Sequence, residues 1–488
     1  MELAQWLDER LSGRTDVVCQ TIDTGGLRYS LHYLSGATDL TMLQAYVLRP
    51  LLNKPIKDVA DHIADMFDRG AFFPTPNTVP KTREEALRGI LDGQALLSVA
   101  GQPSGILFPF RHTTSRSVSV SDNEKTIRGP KEAFVEDIWM NLSLLRQRVK
   151  SNKLQIRQYT FGSDSQTLVM LLYIEGQCDQ KLVDNVHAKL NAIPPLSRLE
   201  GSNAIEEYLD DRFSPFPIML NTERPDVAAS ALFEGRVLLM VDGTPSQLIA
   251  PATLLAFMQS AEDYYQGFFF GSWVRILRYL FFFVSLVLPS AYVAITTFHP
   301  EMIPFNLLIS IASSREIVPF PALVEALIME LTFEVMREAG QRIPTMIGQT
   351  ISIVGAIVLG QAAVQAGIVS APLVIIVAIT GISSFMAPHF SITLGIRFLR
   401  FALLITSAMF GLLGLLIGVF CVFIHLLSID SFGTSYLSPF IPFEKGKMRD
   451  ALGRSSWPKL MGKPVQPLKK GASPEWSGNR SSGSDGRE

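Results

Sequence analysis

Charge is scarce in this chain: of 488 residues only 18% are Asp, Glu, Lys or Arg, while 48% are hydrophobic. That is more apolar and less charged than an average soluble domain. The formal net charge is −2, so the basic excess that draws a protein to a polyanion is missing and nucleic acid is not an expected partner. Cysteine is nearly absent. Cys19, Cys178 and Cys421 are odd in number, far apart and in no metal-ligand spacing, which argues against a disulfide framework and against a zinc site. The first ten residues are acidic and lack an apolar signal-peptide core, so the N-terminal portion is expected to stay on the side of synthesis, in a reducing cytosol. The soluble region carries no G-x-x-x-x-G-K-[ST] or G-x-G-x-x-G phosphate cradle, which leaves nucleotide binding unsupported. With no Ser/His/Asp set and no metal-ligand cluster either, the expectation is no enzyme, no cofactor and no metal.

The apolar excess that is present is unevenly spread. Residues 1–266 alternate charged and apolar positions as globular domains do, whereas long stretches from 276 onward hold almost no charge. The fold class expected is a duplicated α/β soluble domain followed by an α-helical polytopic membrane domain. We divide the chain as 1–110, a first α/β subdomain; 111–266, its duplicate; 267–430, the helical membrane domain; and 431–488, a basic and mostly disordered tail.

Duplication rests on two motifs. Leu31-His-Tyr-Leu-Ser-Gly36 recurs as Leu171-Leu-Tyr-Ile-Glu-Gly176, and Gly93-Gln-Ala-Leu-Leu-Ser-Val-Ala-Gly101 recurs as Gly235-Arg-Val-Leu-Leu-Met-Val-Asp-Gly243. Gly36 and Gly93 are 57 residues apart, Gly176 and Gly235 are 59 apart; matching order and spacing mark an internal repeat. Each motif reads as a short buried strand closed by a glycine turn. Amphipathic stretches at 41–51 and 181–190 read as helices between them. The linker between copies leads into a helical run to Arg148, whose Arg146, Arg148 and Lys150 suit a helix C-terminus.

In the second half, 276–298, 346–366, 368–386 and 398–429 are each long and apolar enough for a membrane span. Trp273, Tyr264, Tyr265 and Tyr279 suit an interfacial belt, with Arg275 and Arg278 at the cytoplasmic end. Residues 303–311 are too short to cross. The stretch 317–338 is apolar yet carries Glu325, Glu330, Glu334, Arg337 and Glu338, and carboxylates at membrane depth are costly unless paired or hydrated. It is re-entrant, interfacial or pore-lining. Gly348, Ser352, Ala356 and Gly360 stand at four-residue intervals, as do Gly414 and Gly418; such small-residue stripes let helices approach closely and read as packing seams. Gln349, Gln361 and Gln365 are amides that need partners across helices or in a pore. His299, His389 and His425 are isolated and read as interfacial. Residues 444–488 hold ten Lys and Arg against five Asp and Glu, which places them inside and calls for an even number of crossings. Four crossings leave Arg397 and Arg400 outside, and a fifth moves the tail outside; four is the preferred count.

The run Pro319-Phe-Pro-Ala-Leu-Val-Glu-Ala-Leu-Ile-Met-Glu-Leu-Thr-Phe-Glu-Val-Met-Arg-Glu-Ala-Gly340, with Pro344, Ile347-Gly-Gln, Ser352-Ile-Val-Gly-Ala and Gly360-Gln-Ala-Ala-Val, resembles the signature of the GerA-type spore germination receptor family, A subunit. Arg128-Gly-Pro, Ser214-Pro-Phe-Pro, Asn221-Thr-Glu-Arg-Pro-Asp226, Asp242-Gly-Thr-Pro, Ile249-Ala-Pro-Ala-Thr and Glu262-Asp-Tyr-Tyr are similar to it too. The resemblance spans about residues 15–445. It extends equally to an accessory paralogue encoded with the dipicolinic-acid channel proteins. What it implies is a multi-pass protein of the spore inner membrane with its soluble domain on the core side. It further implies a homo-oligomer acting with a transporter-like B subunit, a lipoprotein C subunit and membrane lipid, in which the A subunit is a nutrient-gated ion channel that starts germination. Glu325, Glu330, Glu334, Gln349, Gln361 and Gln365 are the pore or gating candidates, because polar groups at membrane depth are those a hydrated ion uses. The rival readings are a secondary transporter or direct nutrient-binding receptor, and an accessory ion-release subunit. No internal repeat within the spans favours the transporter.

Overall fold

The computed structural model describes residues 3–12, 14–53, 59–67, 72–110, 124, 126–210, 213–342, 360–444 and 446–456. Its first layer follows from period-two alternation in two runs joined by a glycine turn. β1 (Val17–Thr24) pairs antiparallel with β2 (Leu27–Leu34), following helix α1 (Leu3–Leu11). α2 (Leu40–Leu43), a π turn, α3 (Arg49–Asn53), α4 (Val59–Phe67) and α5 (Arg83–Leu91) then lead to β3 (Ala95–Val99) and β4 (Gly105–Phe108). The sheet order is β1-β2-β3-β4. One face packs Tyr29, Leu31, Leu97 and Phe108 with Leu43 and Val47. The other packs Leu34, Leu96 and Leu107 against α1 and α5, so strand residues of both parities are buried and the run reads as continuously apolar.

The second unit repeats this order. α6 (Ile138–Arg148), β5 (Leu154–Phe161), β6 (Thr167–Ile174), α7 (Gln180–Asn191) and α8 (Gly201–Leu209) come first. A short strand β7 (Leu220–Thr222) precedes α9 (Pro225–Phe233), β8 (Val237–Val241) and β9 (Gln247–Ala250), and the sheet order is β5-β6-β8-β9-β7. β7 is the addition; the other strands correspond one to one. The motif glycines explain why both copies carry them. Gly93 and Gly235 have φ of +83° and +82°, a region that strains any residue with a Cβ. A Cβ on Gly93 would fall 2.8 Å from the Ala37 carbonyl oxygen, and one on Gly235 2.6 Å from that of Gln177; the end of the first motif therefore packs on the start of the second, in each copy. Asp39 caps α2 through the amides of Thr41 and Met42, and Asp179 caps α7 through that of Lys181, each contact contributing on the order of 1 kcal/mol. Arg146, read as a helix-end cation, is buried and ion-paired to Asp16, which ties the two copies together.

α10 (Leu254–Met258) and α11 (Glu262–Tyr265) join the second sheet to α12 (Phe268–Phe298), a helix of 31 residues, about 46 Å long. α13 (Phe305–Arg315) is short. α14 (Ala322–Arg342), α15 (Ala371–Ser384) and α16 (Phe390–Ser428) complete the helical part. At 14 residues, α15 is about 21 Å long, short of a roughly 30 Å hydrocarbon core; the stretch 368–386 is apolar throughout, but its ends are turns.

α16 departs most from the sequence reading. Its 39 residues form a hairpin in place of one span at 398–429: Gly411 takes φ 60° and ψ −143°, and the helix reverses there. A Cβ on Gly418 would meet Leu403 Cδ2 at 2.5 Å, though 15 residues of straight helix separate two positions by about 22 Å. Phe298 and His299, at the end of α12, sit against Gly411. At the other end Gly395 approaches the Pro215 carbonyl, and His425 bonds Ser214 at 2.9 Å. Both arms thus run between the α/β part and a far end. The apolar run gave no hint of the turn because its two arms are equally hydrophobic.

Residues 431–456, assigned above to a disordered tail, fold back. β10 (Asp430–Ser431) and β11 (Thr434–Ser435) form a hairpin, Ser431 Oγ donates to the Ile218 carbonyl at 2.8 Å, and Tyr436 is fully buried in the core of the second unit. The basic composition concealed this because the residues that dock, Phe432, Tyr436 and Leu437, are few and meet partners distant in the sequence. Residues 457–488 lie outside the described residues.

Candidate functional site

α14 starts at the far end and returns toward the α/β part. At its start Glu325 Oε1 lies 3.3 Å from Arg315 Nε, and Oε2 accepts from the Ser370 amide at 3.1 Å. Midway, Arg400 Nη1 donates to Glu330 Oε2 at 2.7 Å. One turn further, Glu334 takes Arg397 at 3.4 Å and Arg337 at 3.9 Å. Arg337 also donates to Ser384 Oγ at 2.6 Å and lies between the rings of Phe333 and Phe385, 4.8 and 4.6 Å from their centroids. The helices run antiparallel, so the i,i+4 carboxylates of α14 meet the i,i+3 guanidiniums of the first arm of α16 rung by rung.

Close approach is what makes these pairs reach. Gly381 of α15 admits the Phe333 ring, which would lie 2.4 Å from a Cβ there. Val293, Ala322, Ala326, Leu373, Val377 and Leu404 pack together from α12, α14, α15 and α16. Glu325 and Glu330 are each 1% exposed and Arg400 likewise. A charge so buried is tolerated only when paired, which accounts for the arginines.

The pairing is incomplete. Among the described residues Glu330 Oε1, Glu334 Oε1, Arg337 Nε and Nη1, Arg397 Nε, Arg400 Nε and Nη2, Tyr292 Oη, Ser290 Oγ and Ser383 Oγ are buried with no hydrogen-bond partner. They all lie on the helices of this bundle, and such a concentration of unsatisfied polar atoms is what water or ions occupy.

The sequence candidates divide. Glu325, Glu330 and Glu334 converge on this seam. Gln361 and Gln365 do not: both are exposed on the outside of the single chain. Gln349, Gly348, Ser352 and Ala356 lie outside the described residues, and Gly360 makes only an ordinary contact with Val374. Gly414 and Gly418 form the seam between the two arms of α16, where a Cβ on Gly414 would fall 2.1 Å from the Thr406 carbonyl oxygen. Arg315, Arg397 and Arg400 were not among the candidates, although the matching spacing of Arg397 and Arg400 to Glu330 and Glu334 was a usable signal. The three histidines are not isolated: His389 Nε2 lies 3.3 Å from the Gln259 carbonyl and Nδ1 3.7 Å from Glu124. Burial pushes the His389 pKa down to about 4, and burial pushes Glu124 up to about 7.

Where α12 leaves the α/β part, a second cluster forms. Asp263 accepts from Arg278 at 2.9 Å through one oxygen and from Arg275 at 3.1 Å through the other. Arg275 also reaches Asp450 at 3.2 Å, and Arg454 donates to the Asp263 carbonyl at 3.1 Å. Arg275 and Arg278 are therefore buried partners of the fold and not exposed interfacial charges. Arg224 donates to Asp226 and to the Pro130 carbonyl, Tyr265 donates to Asp226 at 2.6 Å, and Gly129, at φ +128°, lies under the Tyr265 ring. The Arg-Gly-Pro, Thr-Glu-Arg-Pro-Asp and Asp-Tyr-Tyr motifs, distant in sequence, meet here.

α12 and α16 are long and apolar enough to cross a membrane. Much of α16 faces outward, with Phe398, Met409, Phe410, Leu413, Leu416 and Phe420 exposed, unlike the core helix of a water-soluble protein.

Known proteins match this chain along most of its length. The family model described as Bacillus/Clostridium GerA spore germination protein matches residues 5–466. "Spore germination protein KA" of Bacillus subtilis (strain 168) is 41% identical over 460 residues, covering 92% of this chain and 83% of that protein. "Uncharacterized membrane protein YfkQ" of the same organism is 40% identical over 447 residues, covering 91% and 86%. The crystal structure of the N-terminal domain of the A subunit of the Bacillus megaterium spore germinant receptor GerK3 is similar at 25% identity and a TM-score of 0.37, covering 51% of this chain and 93% of that one.

Proposed function

This chain belongs to the Bacillus/Clostridium GerA spore germination protein family, and on that premise we propose that it is the A subunit of a spore germinant receptor whose α14–α16 seam is a gated ion path. The soluble units 1–110 and 111–266 then stand on the spore-core side of the inner membrane, and the B and C subunits of the receptor and further copies of this chain are its partners. The observation that carries this reading is the row of Glu–Arg pairs between α14 and the first arm of α16, Glu330–Arg400 fully buried and Glu334–Arg397 partly so.

In the closed form each carboxylate is neutralised by a guanidinium, so the path presents no free field to a cation. Gating separates α14 from α16, and the carboxylates, with oxygens already unsatisfied, become ligands for a hydrated cation. α12, α14 and the two arms of α16 run between the same two ends and make four crossings among the described helices, α15 being too short for a further one. The even count keeps the C-terminal fold-back beside the soluble units, as Ser431 on Ile218 requires. It also takes Arg397 and Arg400 out of the positive-inside tally, since they are paired within the bundle.

Ion flux into liposomes holding the full chain, with partner subunits and nutrient supplied, tests the proposal. Glu330→Gln is expected to lower cation flux at least about tenfold, since each lost 1.4 kcal/mol of ion stabilisation is a factor of ten. Oligomers that never conduct under those conditions overturn it.

A further inference from the structure

Cys19 and His32 are directly opposite each other in the β1–β2 ladder, and α1 lays Asp8 over them. His32 Nε2 lies 3.0 Å from Asp8 Oδ1 and 3.4 Å from Cys19 Sγ. The three ligand atoms are all within 4.8 Å of one another. His32 is fully buried, while Asp8 and Cys19 open to solvent.

The second copy shows what the fold alone requires at these positions. α1 ends at Leu11 and β1 begins at Val17; α6 ends at Arg148 and β5 begins at Leu154. In that register Asp8 corresponds to Leu145, Cys19 to Ile156 and His32 to Leu172. Ile156 pairs with Leu172 in the β5–β6 ladder, and all three are buried. An apolar triple therefore serves the same helix-on-hairpin packing. A buried polar group costs about 1–3 kcal/mol unless satisfied, so the buried His32 of the first copy is not explained by packing, and the exposed Asp8 and Cys19 are what it faces.

Side-chain hydrogen bonds join Asp8 both to His32 Nε2 and to the Cys19 thiol, so an imidazole nitrogen and a sulfur gather around one carboxylate. Nε2 of an imidazole offers either one proton or one lone pair, so it serves Asp8 or Cys19 and not both. A cation takes a lone pair from all three at once. We propose that Asp8, Cys19 and His32 bind a divalent transition-metal ion of the zinc type, through Oδ1, Sγ and Nε2. Sulfur, nitrogen and oxygen ligands together suit such an ion. Bond lengths of about 2.0–2.3 Å in a tetrahedron put ligand atoms roughly 3.3–3.8 Å apart, close to the 3.0 and 3.4 Å from His32 Nε2 to its two neighbours, with the third separation no more than 4.8 Å. The fourth position faces solvent.

Two features set its strength. Burial and Asp8 push the Cys19 thiol up to about 11, so the metal-free triple keeps its thiol proton and binding releases it. His32 Nδ1 has no hydrogen-bond partner, and the missing outer acceptor weakens binding by roughly 10–100-fold. The ion pins α1 to the sheet edge, where Leu3, Leu7 and Leu11 already pack.

Cobalt titration of the full chain in detergent, after removal of metal by a chelator, tests the assignment. Expected is one Co2+ per chain, a thiolate-to-metal charge-transfer band, four-coordinate visible bands, displacement by Zn2+ and release of a proton. Cys19→Ser abolishes the charge-transfer band, whereas Cys178→Ser and Cys421→Ser leave it. His32→Leu and Asp8→Leu install the second copy's residues, so they keep the melting transition while weakening binding roughly tenfold or more. Absence of the band in the folded wild type, or its persistence in Cys19→Ser, overturns the proposal.

Discussion

Two buried charge clusters in this protein are built differently. At the root of α12, Asp263 uses both carboxylate oxygens on two arginines, and backbone carbonyls of Met258 and Asp450 take further guanidinium hydrogens. In the α14–α16 seam Glu330 and Glu334 each have one oxygen contact to an α16 arginine, and more buried nitrogens and oxygens stay unsatisfied there than at the root of α12, where Arg275 Nη2 is one. The first arrangement is a joint that only unfolding releases. In the second each pair recovers only part of its desolvation cost, as the proposed opening of the seam requires.

The largest expected effect comes from breaking the joint. Asp263→Ala strands Arg275 and Arg278 without their shared carboxylate, and denaturation of the full chain in detergent is expected to show a loss of about 4–5 kcal/mol. A loss below about 1 kcal/mol removes the distinction between the two clusters.

In the seam, Glu330→Leu alone leaves Arg400 unpaired and is expected to cost about 3 kcal/mol, but Glu330→Leu with Arg400→Leu restores stability to within about 1 kcal/mol of the wild type, since a well-packed apolar pair replaces a buried ion pair at little cost. A double variant as unstable as the single one makes the seam a structural joint like the first. Ion flux in the double variant stays lowered by at least about tenfold, since the carboxylate is still missing.

The smallest effect lies at the border between the regions, where His389 precedes α16. Its folded pKa of about 4 lies below the unfolded 6.5, with burial as the main cause and Arg278 adding repulsion. Between those values the unfolded chain binds the extra proton, so this group's contribution is full above pH 6.5 and declines as pH falls toward 4, by at most about 3 kcal/mol. Glu124, 3.7 Å away and raised to about 7, acts oppositely: its folded form holds a proton between 4.5 and 7, so its contribution declines as pH rises. His389→Gln is therefore expected to remove the acid-side fall and expose the reverse slope in a stability-against-pH series.

Much of the fold was readable from residues. The recurrence of L-x-Y-x-x-G and G-x-x-L-L-x-V-x-G anticipated two equivalent sheets, since a turn glycine and an apolar run are local demands of the backbone. Glu325, Glu330 and Glu334 were found as costly charges in an apolar helix. Arg337, on the same helix, could be read as a partner and does approach Glu334, but Arg397 and Arg400 were not found, being 63 to 70 residues away and marked only by their matching spacing. Gln361 and Gln365 share a helical face with each other, yet that face points outward in the chain. Spacing likewise argued against a metal site, whereas cross-strand register brought Cys19 beside His32.

Local chemistry thus determined, from the sequence by itself, that the chain has a duplicated α/β part, an apolar helical part and carboxylates embedded in the latter; hydrophobic period and turn glycines act over a few residues. Only the tertiary structure decided that α16 reverses at Gly411, that residues 431–456 return to the second sheet, and that each embedded carboxylate faces an arginine. Those outcomes depend on which surfaces meet after the chain has folded, and the energy of a buried charge is set by a neighbour whose position in the sequence carries no information about its position in space.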